Sequence, residues 1–144
     1  MQEYRDMMTE IEKQGSLGPV LKQIETAVAG TCREIMEKGK NKKIFFLGCG
    51  DSYFAGLAVK NYFLEKTDSL CFPMTALEFS TYGIRQVDKE STVIAVSMSG
   101  NVARTVEAVK EAQERGAYVV GITNSLTGRL YEVCRRNRAG RQGH

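Results

Sequence analysis

The stretch of sequence that decides the fold is Val96-Ser97-Met98-Ser99-Gly100-Asn101. It follows the apolar run 92–96 and precedes an amphipathic segment, 102–115, so the pattern predicts a strand, a tight polar loop and a helix. The first N–H groups of a helix lack intrahelical partners and carry partial positive charge, which suits an anion such as phosphate. Ser99 or Asn101 could instead simply cap the helix, a common use of both residue types.

A second loop of the same kind lies upstream, at Gly48-Cys49-Gly50-Asp51-Ser52. It follows residues 44–47, an uninterrupted apolar run of the kind found in strands that are buried on both faces. Similar runs at 70–74 and 118–122 alternate with helical or irregular segments, which predicts a parallel sheet with helices on both faces. Pro73 cannot donate to a ladder, so we expect the second strand to lie at an edge or to end early.

Three polar turns follow strands of the predicted sheet. The two serine loops come first, and Thr123-Asn124-Ser125 follows the fourth strand. Ligands of open α/β sheets bind beyond the carboxyl ends of the strands. We therefore expect the three turns to converge on one rim of the sheet.

The chain of 144 residues fits a single domain, 1–144. Apolar residues at helical spacing predict a short helix over 3–14 and a long amphipathic helix over 17–36, both within an N-terminal helical segment, 1–41. Residues 42–126 are expected to form the parallel α/β core, and residues 127–144 a basic tail that is a candidate for disorder.

The amino-acid composition limits the kinds of site and the cellular setting that we expect for this chain. The four cysteines lie far apart without a C-x-x-C pair, and the single histidine is His144, so neither a disulfide framework nor a metal site is predicted. There is no leader-like segment and no apolar run long enough for a membrane helix. We expect a cytoplasmic protein without a cofactor.

The formal net charge of +3 comes from the tail, where residues 126–144 hold five arginines and one glutamate. Such a tail could contact nucleic acid, but the rest of the chain has no basic stripe with interleaved aromatic residues, which argues against that partner. Gly48-x-Gly50 after a buried strand resembles the opening of a dinucleotide-binding motif. It lacks the third glycine, because residue 53 is tyrosine, and no acidic residue follows at the required distance.

Taken together, Gly48-Cys49-Gly50-Asp51-Ser52-Tyr53, then 76–79, then Ser97-Met98-Ser99-Gly100 with Thr105, resemble the sugar isomerase (SIS) domain family. Within it they are most similar to the isomerase part of glucosamine-6-phosphate synthase and its relatives. The resemblance implies a three-layer αβα, flavodoxin-like fold with a five-stranded parallel sheet, of which four strands are evident here and the fifth is missing or degenerate. It also implies a phosphosugar ligand, of the fructose 6-phosphate or glucosamine 6-phosphate type, and frequent dimerisation.

Residue roles are implied by the same resemblance. The phosphosugar-binding candidates lie in the two serine loops and are Gly50, Asp51, Ser52, Ser97, Met98, Ser99, Asn101 and Val102. Asp51 is interpreted as a helix cap or a contact of sugar hydroxyls, and Cys49 as a small buried residue rather than a nucleophile. Val102 stands where the family usually has threonine, which removes one hydroxyl donor.

Isomerisation needs a base that moves a proton between neighbouring carbons. In the family that base lies beyond the fourth strand, and no such segment is recognisable here, while Glu78 is interpreted as a packing residue ahead of Phe79. The sequence therefore predicts the ligand-holding half of an isomerase, deglycase or aminotransferase, with no catalytic residue and no turnover by this chain alone. Two alternatives stay open: a non-catalytic regulator that senses a phosphosugar, and an assembly protein that uses its long N-terminal helix.

Overall fold

A computed structural model describes residues 2–39 and 42–141. The chain forms two compact units, Met1–Glu37 and Lys38–His144. In chain order the elements are α1 (Gln2–Gln14), α2 (Leu17–Lys38), β1 (Lys43–Gly48), α3 (Asp51–Lys66), β2 (Leu70–Thr75), α4 (Ala76–Thr81), a 3₁₀ turn (Gly83–Gln86), β3 (Ser91–Val96), α5 (Ala103–Glu114), β4 (Tyr118–Ile122) and α6 (Arg129–Arg141).

The N-terminal unit is made of α1 and α2, which confirms the predicted helical lead-in. The break between the helices is closed by Ser16, whose N–H and Oγ both donate to the Lys13 carbonyl, at 2.9 and 2.6 Å. Pro19 lies in the first turn of α2, where proline is tolerated because no intrahelical N–H bond is lost.

The second unit is built on a four-stranded parallel sheet with the order β2-β1-β3-β4. This is the flavodoxin-like order over its first four strands, and it places β2 at an edge, as Pro73 predicts. The predicted three-layer architecture is also confirmed, because successive residues of β1 point into two different cores.

The larger core lies on the face covered by α4, α5 and α6. There Phe45 and Leu47 of β1 pack with residues such as Phe79, Val109 and Leu130. On the opposite face Ile44 and Phe46 pack with Cys71, Ile94 and Phe63 of α3. Phe46 and Phe63 meet edge to face, with ring centroids 5.4 Å apart.

The expectation that residues 127–144 are a candidate for disorder is wrong for α6, which begins at Arg129. Leu130 is fully buried in the larger core, and Val133 and Cys134 pack against it. Leu130, Val133 and Cys134 form an apolar stripe that is hard to recognise in so arginine-rich a sequence. Residues 142–144, including His144, lie outside the described part of the chain.

None of the helices in the described part of the chain combines the length and the hydrophobicity that a membrane span requires.

Candidate functional site

Parallel pairing brings the serine loops together at one rim of the sheet. Leu47 of β1 is paired with Ala95 of β3, and Val96 of β3 with Ile122 of β4, so the loops after these three strands leave the sheet side by side. The predicted convergence of three polar turns is thus present in the fold. Thr75, at the end of β2, is paired with Gly48 and extends the same rim.

The first serine loop is tightly wound. A Cβ on Gly48 would lie 2.5 Å from the Ser52 carbonyl carbon, so only glycine fits there. Gly50 has φ of 57° and is the N-cap of α3, which begins at Asp51. The interpretation of Asp51 as a helix cap is therefore wrong, because the capping position belongs to a residue without a side chain. Asp51 is instead the exposed first residue of the helix, where a carboxylate interacts favourably with the helix dipole.

The second serine loop contains a buried hydroxyl without a partner. Ser97 is 3% exposed, and within the described structure its Oγ makes no hydrogen bond. The Ser97 backbone is satisfied, since its N–H donates to the Ile122 carbonyl at 3.0 Å and its carbonyl accepts from the Gly100 N–H at 3.1 Å. Buried hydroxyls are normally hydrogen-bonded. The Ser97 hydroxyl therefore has unused hydrogen-bonding capacity at this end of β3.

Helix α5 begins after this loop without a side-chain cap. Its N-cap is Val102, which is 38% exposed and makes no capping bond, so the alternative in which Ser99 or Asn101 merely caps the helix does not hold. The Asn101 N–H donates to Ser99 Oγ at 3.2 Å, and Asn101 Nδ2 donates to the Ser99 carbonyl at 3.1 Å. The two polar side chains are therefore organised within the loop.

The turn after β4 supports the second serine loop through hydrogen bonds and close backbone contacts. The Met98 carbonyl accepts from Thr123 Oγ1 at 3.2 Å and from the Asn124 N–H at 3.1 Å. Gly128 approaches so closely that an added Cβ would lie 2.9 Å from the Ser99 carbonyl oxygen. Gly100 has φ of 66°, and a Cβ added to it would lie 2.9 Å from Thr123 Oγ1. Contacts within the protein therefore hold this loop in its conformation.

The sequence pattern does not identify the contributions of Gly128, in this turn, and of Arg129, the first residue of α6. The Arg129 N–H donates to Asn101 Oδ1 at 3.2 Å and its Nη2 donates to the Asn101 carbonyl at 3.0 Å. The only available signal was the glycine followed by a cation after the Thr123-Asn124-Ser125 turn.

The cysteines differ in their surroundings. Cys49 is exposed, which corrects its interpretation as a buried residue, and its Sγ lies 3.8 Å from Oγ1 of the buried Thr105. Cys71 is buried in the smaller core, and burial raises the pKa of its thiol, as expected of a packing cysteine.

Glu78 is an exposed capping residue rather than a packing residue. It forms a capping box with Thr75 at the start of α4, whereas Phe79 is fully buried. Hydrogen bonds from the Thr75 N–H and hydroxyl lower the pKa of Glu78. Across residues 2–39 and 42–141 no three His, Cys, Asp or Glu side chains form a metal-binding group.

The predicted site residues fall on two adjacent loops. Gly50, Asp51 and Ser52 start α3, and the others line the turn into α5, where Met98 is 75% exposed at its tip. Their assignment to a ligand stays a prediction.

Comparison with known protein families finds a match to the SIS domain over residues 39–137. The chain belongs to the SIS domain family. Among its relatives, the glutamine–fructose-6-phosphate aminotransferase of Pyrobaculum aerophilum is 33% identical over 138 residues, covering 93% of this chain and 22% of its own length. The corresponding enzyme of Aeropyrum pernix is 40% identical over 88 residues, which are 61% of this chain and 14% of that protein.

A solved structure shows the same SIS fold. The C-terminal domain of glucosamine-fructose-6-phosphate aminotransferase from Francisella tularensis superimposes with a TM-score of 0.60 and 28% identity, over 72% of this SIS chain and 28% of the other. This chain therefore spans less than a third of the length of each of these three proteins.

Proposed function

We propose that this SIS domain binds a phosphorylated sugar at the rim formed by residues 48–52 and 97–102. The observation that carries the proposal is the buried, unpartnered Oγ of Ser97 beside the uncapped start of α5. An unsatisfied buried hydroxyl costs free energy unless a ligand or water bonds to it. A phosphate oxygen is a suitable partner, because the helix start and the serine hydroxyls both favour an anion.

The names of the relatives support the class of ligand. Both aminotransferases named above carry fructose 6-phosphate in their names, and the alignment with the Pyrobaculum aerophilum enzyme covers 93% of this chain, including both serine loops. We infer that the ligand is a hexose phosphate of the fructose 6-phosphate or glucosamine 6-phosphate type. The domain would act as the ligand-holding part of an isomerase, deglycase or aminotransferase.

Catalysis is not expected of this polypeptide on its own. Of the carboxylates at the rim in the described residues, Glu78 is engaged in a capping box and Asp51 stands at the first turn of α3. General acid–base chemistry needs a group within hydrogen-bond reach of the reacting carbon's proton. We propose binding without turnover. We further propose a cytoplasmic setting for this domain, as the wide spacing of its cysteines in the sequence suggests.

Titration calorimetry tests the binding proposal. Fructose 6-phosphate and glucosamine 6-phosphate are titrated into the wild-type chain, with unphosphorylated fructose as the ligand control. Ser97→Ala should lose affinity while its stability stays equal or rises, because the variant removes an unsatisfied buried hydroxyl. Ser69→Ala is the matched control, since Ser69 precedes β2 at the opposite end of the strands. Equal affinity of the Ser97→Ala and wild-type chains would refute the assignment.

A further inference from the structure

We propose that Asn101 and Arg129 form a clamp that orients the Ser99 hydroxyl toward the bound anion, and that Arg129 is a positioning residue of the site. The proposal rests on the proposed phosphosugar function. It adds Arg129, the first residue of α6, to a site otherwise formed by the two serine loops.

The first half of the clamp lies within the loop. Ser99 Oγ accepts a hydrogen bond from the Asn101 N–H at 3.2 Å, and the Ser99 carbonyl accepts from Asn101 Nδ2 at 3.1 Å. A hydroxyl group has one proton and two lone pairs. The bond from the Asn101 N–H uses only one lone pair of Ser99 Oγ, so the hydroxyl can still donate its proton to an acceptor outside the loop, such as a phosphate oxygen.

The second half of the clamp comes from Arg129, 28 positions along the chain. Its N–H donates to Asn101 Oδ1 at 3.2 Å, and its Nη2 donates to the Asn101 carbonyl at 3.0 Å. The carboxamide of Asn101 thus uses its oxygen toward Arg129 and its nitrogen toward Ser99. Only a side chain with both a donor and an acceptor can make these two bonds at once.

The clamp is tied to the core through the residue that follows. The Leu130 N–H donates to the Gly100 carbonyl at 2.9 Å, and the Leu130 side chain is fully buried. Displacement of α6 would therefore move Arg129 and release Asn101. The guanidinium also places a positive charge at an anion site that otherwise depends on serines and a helix start, and most of its five N–H donors are not used by the Asn101 bond.

The experiment measures fructose 6-phosphate and inorganic phosphate binding by calorimetry, with thermal unfolding followed in parallel. The variants are Arg129→Ala, Arg129→Lys, Asn101→Ala and the double variant, with Arg135→Ala as an exposed arginine control on the same helix. Arg129→Ala should weaken binding by about fivefold or more. Arg129→Lys should recover part of the loss, since an ammonium can still donate to the Asn101 carbonyl. Arg135→Ala should bind as wild type does.

Coupling between the two residues is the decisive readout. If they act through each other, the double variant should lose less affinity than the product of the two single losses. If Arg129→Ala does not fold, Arg129→Lys and Asn101→Asp replace it, because Asp keeps the acceptor for Arg129 but loses the donor to Ser99. A lower unfolding temperature with unchanged affinity would overturn the clamp and leave a structural role only.

The outcomes separate this inference from the proposed function. If the wild-type chain binds neither probe, both fail. If the wild-type chain binds and Ser97→Ala does not, while Arg129→Ala matches Arg135→Ala, the site stands and the clamp alone is wrong.

Discussion

The carboxylate of Glu78 accepts two hydrogen bonds from Thr75, one from its N–H and one from its hydroxyl, both at 2.9 Å. The Glu78 N–H returns a bond to Thr75 Oγ1 at 3.2 Å. This reciprocal pair stabilises the point where β2 turns into α4 at the rim. It also makes that point sensitive to acid, because the bonds lower the pKa of Glu78.

We expect Glu78→Gln to flatten the acid dependence of stability. A lowered folded-state pKa contributes stability above the ordinary glutamate pKa of about 4.3, and that stability is lost as pH falls through the lower folded-state value. Glutamine can still form the capping box but does not titrate. Unfolding in urea at neutral and acidic pH should show a smaller drop for the variant than for wild type.

The control for this measurement is Glu107→Gln, an exposed position on α5. Asp88, whose pKa is lowered by the Lys43 side chain, contributes its own acid dependence to all three proteins and so cancels in the comparison. Parallel curves for wild type and Glu78→Gln would contradict the prediction.

Phosphosugar binding should be weakened when the Ser99 hydroxyl is removed and abolished when a negative charge replaces it. Ser99→Ala should weaken phosphosugar binding by about 1–3 kcal/mol, the value of one hydrogen bond to a charged group. Ser99→Asp should abolish binding through charge repulsion. Titration calorimetry with fructose 6-phosphate and glucosamine 6-phosphate makes the comparison, and unchanged affinity in Ser99→Asp would exclude this loop as the phosphate site.

Leu130 should be needed for folding even though it belongs to an arginine-rich segment. It is fully buried, so Leu130→Ala should destabilise the chain by about 2–5 kcal/mol. Leu126→Ala is the matched control, because Leu126 is 73% exposed and should change stability by less than about 0.5 kcal/mol. Urea unfolding distinguishes the two, and equal midpoints would mean that α6 does not belong to the core.

Self-association is expected through α2. Apolar side chains along this helix are exposed, namely Leu17, Val20, Leu21, Ile24 and Val28. Exposed apolar stripes of this kind promote association, so we expect a dimer or larger species with α2 in the contact. Sedimentation at micromolar concentration should show Leu21→Glu shifted toward monomer and Gln23→Glu unchanged. A monodisperse wild-type monomer would contradict the prediction.

The chain should bind phosphosugars without converting them. General acid–base catalysis typically contributes ~10²–10⁴-fold, and among the described residues the rim carboxylate outside a capping box is Asp51, at the start of α3. Coupled assays for glucose 6-phosphate and fructose 6-phosphate interconversion, and for glucosamine 6-phosphate formation, should show no turnover. Activity that disappears in Asp51→Asn would prove that the chain supplies its own base.

The sequence alone determined the parallel α/β class, the four strands and the placement of the serine loops. Those features follow from local patterns: uninterrupted apolar runs such as 44–47, helical spacing over 17–36, and proline at position 73. The family resemblance rested on the same loops, and the match over residues 39–137 confirms it.

Only the tertiary structure decided what each polar side chain does. Asp51, Glu78 and Asn101 are all short polar residues near helix starts, and sequence cannot tell a cap from a contact because the choice depends on which backbone group lies within about 3 Å. Glu78 proved to be the partner of the N-cap Thr75 in a capping box, whereas Asp51 takes no part in capping α3. Asn101 is held by Arg129 across 28 positions. The burial of Leu130 and of the Ser97 hydroxyl likewise depends on how α6 packs on α5 and β4 and how β4 pairs with β3, a long-range arrangement that the local pattern does not contain.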